Sequence, residues 1–81
     1  MMTAAQMRAA RALAGLDQKM LAERAGVSLP TIQRMEASDG VVRGVVDTLM
    51  KVIQALEEAG VELIDDNQPS RHGGRGVRLK P

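Results

Sequence analysis

The sequence predicts an all-α domain over residues 1–60, four helices around an aliphatic core, followed over residues 61–81 by a short strand–loop–strand extension. Three observations predict it. Apolar residues recur at helical spacing in four separate runs. Capping residues and glycines punctuate those runs. Phe, Tyr and Trp are absent, so the core must be built from Leu, Ile, Val, Met and Ala, a palette that suits packed helices.

Each element has its own signal. Met1 to Ala14 predicts the first helix, with Thr3 and Gln6 placed as a capping box. Met7, Ala10, Leu13 and Ala14 form its inward face, and Gly15 ends it. Asp17 is placed as the N-cap of a second helix, whose inward face is Leu21, Ala22 and Ala25. Gly26 stops that helix in the left-handed conformation glycine adopts most cheaply. Ser28 caps a third helix, with Pro30 in a first turn that needs no N–H from it, and Ile32 and Met35 face inward. A connection through Val41–Gly44 leads to a fourth helix from about Val45 or Asp47 to Ala59. Val46, Leu49, Ile53 and Leu56 make its apolar stripe and Met50 broadens it. Val61–Ile64 and Gly76–Lys80 have the composition of short strands, and Asp65 to Arg75 that of a long loop.

Composition narrows the function. Eighty-one residues make one small domain, and a second copy is a common source of stability at that size. Without cysteine there is neither a disulfide nor a thiolate metal site. His72 is the lone histidine and falls in the loop, so no metal or cofactor is expected. Ser70-Arg71-His72 has nothing rigid to hold it as a triad, and Gly73–Gly76 lacks the Lys-Ser/Thr of a phosphate loop. No constellation of nucleophile, base and orienter emerges, so an enzyme is not expected. Residues 1–60 carry seven basic and seven acidic side chains and the whole chain is only +1. Any basic face must therefore come from clustering. No apolar run reaches the roughly 18 residues of a membrane span. A soluble cytoplasmic protein is expected.

The informative feature is the pair of short helices on either side of Gly26-Val27. The turn is too short for them to lie antiparallel. They must cross steeply, with Ala22, Val27 and Ile32 in the angle, which is the helix-turn-helix arrangement that presents its second helix to the DNA major groove.

Gly15-Leu16-Asp17-Gln18, Leu21–Ser28, Thr31–Glu36 and Asp47–Leu56 together resemble the phage-repressor (Cro/CI, XRE) helix-turn-helix family of bacteria and phages, over about residues 5 to 60. The resemblance implies transcription regulation by DNA binding. Gln18 falls where the family's glutamine contacts phosphate. Ser28, Leu29, Pro30, Thr31 and Arg34 fall at the start and outer face of the recognition helix, where base and backbone contacts occur. Gln33 adds a hydrogen-bonding group. Apart from the resemblance, Arg43 is placed just after that helix either as a further backbone contact or as a solubilising charge. Arg11 and Glu36 fall where the family places a buried ion pair. Leu29 and Pro30 depart from the polar residues often found there, which leaves direct readout to Arg34, Gln33, Thr31 and Ser28.

Double-stranded DNA bound by a homodimer is the expected partnership, because one recognition helix sees few base pairs. An isolated two-stranded ribbon is unstable in water, so Val61, Leu63, Val77 and Leu79 are expected to cover something: a second copy, making the dimer, or the chain's own fourth helix. The alternative function is a protein-interaction module, an antitoxin-like or antiactivator protein, which the apolar Leu29-Pro30 face and the tail would serve.

Overall fold

Thr3 accepts from the Gln6 N–H at 3.0 Å while Gln6 Oε1 accepts from the Thr3 N–H at 2.9 Å, and this reciprocal cap starts the first helix. The computed structural model describes residues 2–81. Its elements are α1 (Ala4–Ala14), α2 (Gln18–Ala25), α3 (Leu29–Glu36), α4 (Val46–Glu58), β1 (Val61–Ile64) and β2 (Gly76–Leu79). The helix expected from Met1 starts at Ala4. Met1 lies outside the described residues, and Thr3 is extended and bridged antiparallel to Val41. The Val42 N–H donates to the Met2 carbonyl at 2.9 Å, so the segment ahead of α1 is stitched to the connection ahead of α4.

The turns follow from local chemistry. Gly15 and Gly26 both sit in the left-handed region, at φ 72° and 69°, where a side chain would be strained. Asp17 caps α2 by accepting from the Met20 N–H at 2.7 Å. Ser28 caps α3. Val45, the N-cap of α4, offers no side-chain hydrogen bond, so the first N–H groups of that helix lack a capping side chain.

Met7, Leu21, Ile32, Val52, Leu56 and Val61 are the largest fully buried side chains and mark the centre of the core. Two expectations about facing are corrected. Leu13 is 41% exposed, because the inward face of α1 is Ala4, Gln6, Met7 and Ala10. Val46 is 64% exposed, because α4 is rotated to bury Leu49, Val52, Ala55 and Leu56. The expected stripe missed Val52 and Ala55 and included two residues that face out, Val46 and, at 50% exposed, Met50.

The tail pairs within the chain. β1 and β2 are antiparallel in the register Val61↔Leu79 to Ile64↔Gly76. β1 packs on α1 and α4, and β2 on α1. Gln6 makes the joint: its buried Nε2 donates to the carbonyls of Ile64 at 2.9 Å and Gly76 at 3.1 Å. A single carboxamide thus caps α1 with its oxygen and grips the loop end of the ribbon with its nitrogen. On the sheet's outer face Arg78 pairs with Glu62 and holds that carboxyl below its ordinary pKa, chiefly through their hydrogen bonds.

Of the two arrangements expected for the tail, its residues lie against their own chain, on α1 as well as on α4. Val61 is wholly buried against its own chain and offers nothing to a second one. Leu63 and Val77 are half-buried against the same core. Leu79 alone stands mostly exposed, at 58%.

Candidate nucleic-acid interface

α3 follows α2 after only Gly26, Val27 and Ser28, and the Val27 N–H donates back to the Ala22 carbonyl at 3.0 Å, closing the steep corner. One face of α3 is anchored by Ile32, Met35 and Glu36, all buried. Successive residues on a helix rotate by about 100°, so Pro30, Gln33 and Arg34 turn outward. All three are exposed, as is Ser28. Leu29 is half-buried and packs on the core, so much of its side chain is not available to a base edge.

The exposed polar groups are linked. Ser28 Oγ and Thr31 Oγ1 are 2.8 Å apart, and Arg34 Nη2 donates to Thr31 Oγ1 at 3.4 Å. Beside Arg34 a cleft of about 440 Å³ opens between α3 and the start of α4. Arg34 and Arg43 both line it, with the hydroxyls of Thr31, Ser38 and Thr48. The structure thus brings together two of the predicted arginines, from opposite sides of the connection. Sequence reasoning missed Ser38 and Thr48. The available signal was their position, one at the end of α3 and one in the first turn of α4, where polar side chains flank a shared opening.

The C-terminal end of α3 is fixed on its buried side by a cluster around Glu36. Arg11 Nε donates to Glu36 Oε2 at 2.8 Å and Arg11 Nη2 to Oε1 at 3.0 Å. Gln18 Nε2 adds a bond to Oε1 at 3.2 Å. The carbonyl of Glu36 accepts from Arg8 Nη1. Gln18 therefore points to α3 from the first residue of α2, which couples that helix start to the end of α3. Arg11's own hydrogen bonds with Glu36 hold its guanidinium above its ordinary pKa. Because Glu36 is buried and paired, the exposed face of α3 presents no carboxylate.

Among the described residues no group of His, Asp and Glu side chains is placed to hold a metal ion, and no helix is long and apolar enough to cross a membrane. No curated protein matches the chain significantly. A family model described as "Helix-turn-helix domain" matches residues 4–63, which covers all four helices and most of β1. The chain therefore belongs to the helix-turn-helix domain family, consistent with the phage-repressor (Cro/CI, XRE) type.

Proposed function

We propose that this protein is a non-enzymatic transcriptional regulator of the cytoplasm, binding specific double-stranded DNA sites as a homodimer with α3 in the major groove. The observation that carries the reading is the shared cleft of Arg34 and Arg43 alongside an α3 face free of carboxylates. An arginine fork matches both guanine edges and phosphate oxygens. In this reading Arg34, Gln33, Thr31 and Ser28 meet base edges and the adjoining backbone. Arg43, Thr48 and the uncapped N-terminus of α4 meet phosphate on the flank, where backbone N–H groups and the helix dipole favour an anion. Gln18 contacts phosphate at the start of α2 while its amide stays on Glu36.

Preorganisation supports the same reading. α3 is only 8 residues long, and a helix that short does not hold its shape alone in water. The Glu36 cluster and the Ser28 cap fix its two ends before DNA arrives. Less ordering then remains to be done on binding.

Selection of duplexes from a randomised library with the purified chain tests this. A palindromic consensus with half-sites about one helical turn apart is expected. Recovery of no duplex, together with a stoichiometric protein partner in a pull-down, would replace the reading with that of a protein-interaction module.

A further inference from the structure

Thr31 stands midway along a chain of polar side chains at the start of α3. Ser28, Thr31 and Arg34 are spaced at i, i+3 and i+6, so they lie in line on one side of the helix. Ser28 Oγ accepts from the Thr31 N–H at 3.3 Å and lies 2.8 Å from Thr31 Oγ1. Arg34 Nη2 donates to the same Oγ1 at 3.4 Å. Thr31 is half-buried, while Ser28 and Arg34 are exposed at either end of the chain.

Helical side chains lean back toward the N-terminus, over the turn that precedes them. Arg34 follows that rule, and the Thr31 hydroxyl is the acceptor it meets there. The guanidinium is thereby drawn toward the first turn of α3, the end that approaches base edges when such a helix enters the major groove. At 3.4 Å on an exposed face the bond is a long one. It biases the arginine toward one arrangement and does not lock it.

We propose that Thr31 is the positioning residue of Arg34, and that the chain of Ser28, Thr31 and Arg34 makes this end of α3 select guanine. The proposal rests on the DNA-binding reading above and names a base that reading leaves open. The direction of each hydrogen bond follows from Arg34. A guanidinium only donates, so Thr31 Oγ1 is the acceptor in their contact. Accepting from a cation polarises the Thr31 hydroxyl and makes it the better donor toward Ser28. Ser28 Oγ then accepts twice, from the Thr31 hydroxyl and from the Thr31 N–H, and its lone pairs are used. Its own proton is left to point outward. What the chain offers a base edge is therefore a set of donors: the remaining N–H groups of the Arg34 fork and the Ser28 hydroxyl.

In the major groove guanine presents two acceptors side by side, N7 and O6. Adenine sets an amino donor beside its N7, and cytosine presents an amino donor alone. Either base brings N–H against N–H, and a donor left unmatched on binding costs more than the bond it fails to make. The carboxylate nearest in sequence, Glu36, does not answer such an amino group, because it is buried and held by Arg11. Gln33, which carries an acceptor as well, sits about 100° round the helix from Arg34 and off this line.

Competition binding with the full chain tests the proposal, on the duplex recovered by selection and on its variants at the base pair where Arg34→Ala relaxes preference. Wild type should prefer guanine there. Thr31→Val removes the acceptor and should lower that preference by about 3- to 10-fold, the range that one net hydrogen bond supplies. Thr31→Ala should act as Thr31→Val does, and Thr31→Ser, which keeps the hydroxyl, should keep most of the preference. Circular dichroism checks that each variant is folded. In the Arg34→Ala background Thr31→Val should cost nothing further, because a residue that acts through another has no separate effect. Nitrogen relaxation at Arg34 Nε reads the contact in the free chain, and Thr31→Val should lower its order parameter. Additive losses from the two substitutions would make Thr31 a base contact of its own and overturn the positioning role. An unchanged order parameter, or a preference for a base other than guanine, overturns the proposal and leaves the DNA-binding reading standing. A wild-type chain that selects no duplex overturns both.

Discussion

Glu36 holds Arg11 in a two-pronged ion pair, 2.8 and 3.0 Å, across a sequence separation of 25 residues. The carboxylate is almost fully buried while the guanidinium keeps 22% of its side-chain surface exposed. Gln18 shares one carboxylate oxygen and Arg8 takes the backbone carbonyl of the same residue. Three donor residues from two helices therefore converge on the last residue of α3. The Arg11 Nη1 also donates to the Leu16 carbonyl at 3.1 Å, which ties the turn between α1 and α2 into the same cluster.

Glu36→Ala is expected to destabilise the domain by about 2–3 kcal/mol, through a partly buried guanidinium left without its partner. The upper part of the range for buried pairs is not reached, because Arg11 keeps water contact and the Leu16 carbonyl. Glu23→Ala, on the exposed face of α2, should change stability by less than about 0.5 kcal/mol. Denaturant titrations of the two variants measure the difference. Equal midpoints would mean the pair adds nothing net.

Arg34→Ala is expected to weaken binding to the selected duplex by about 1–3 kcal/mol and to relax preference at one base pair. Arg43→Ala should weaken cognate and scrambled duplexes alike and reduce the dependence of affinity on salt by about one unit of slope. Titrations at several salt concentrations separate the two roles. Identical behaviour of the two variants would place both arginines on phosphate.

The contrast between what the sequence revealed and what it hid has a physical pattern. Helix starts and stops at Thr3, Asp17, Ser28, Gly15 and Gly26 are local, written within four residues of chain, and the expected caps match the observed ones. Rotation about a helix axis is not local. On α4 both Val46 and Val52 are apolar, and only the position of β1 and α2 against the helix decides that Val52 is buried and Val46 is not. The tail was legible as two strands but not as to where they dock. Its anchor is Gln6, whose capping role is written in Thr3–Gln6, whereas its bonds to Ile64 and Gly76 span 58 and 70 residues. The cleft was half legible for the same reason. Arg34 and Arg43 stand out as charges near the recognition helix, but Ser38 and Thr48 acquire meaning only once the connection folds them to one opening.

Gln6 gives the third prediction. Gln6→Glu keeps the size and the cap to the Thr3 N–H but removes the donor aimed at the Ile64 and Gly76 carbonyls. An ionised carboxylate there is buried and faces two carbonyl oxygens, which favours its neutral form and raises its folded pKa. A group with a raised folded pKa contributes most at low pH and loses that contribution as pH rises. The variant should therefore be destabilised relative to wild type at pH 7 and recover much of the difference near about pH 4, where protonated carboxyl can donate. Proteolysis within residues 65–75 should accelerate at neutral pH, since the ribbon is the part released. A constant stability gap between variant and wild type at both pH values would show that the donor is dispensable.

Truncation after Gly60 gives the last. From sequence alone, removal of the tail is expected to leave the four helices intact and to dissociate a dimer. The docked tail changes that outcome. Val61 is fully buried and Ile64 is 8% exposed, so the cut strips two large side chains from the core and uncovers apolar parts of α1 and α4. Burial of such side chains is worth about 1.5–3 kcal/mol each. The loss of about 3–6 kcal/mol is a large share of the 5–15 kcal/mol that holds a typical domain together. The amide of Gln6 also loses both of its carbonyl partners. The truncated chain should therefore lose helical circular dichroism on mild heating and bind the dye that reports exposed apolar surface, and its affinity for DNA should fall with its fold. A truncated chain with an unchanged melting temperature would mean that residues 1–60 form the complete folding unit and that the tail rests on the helices without supporting them.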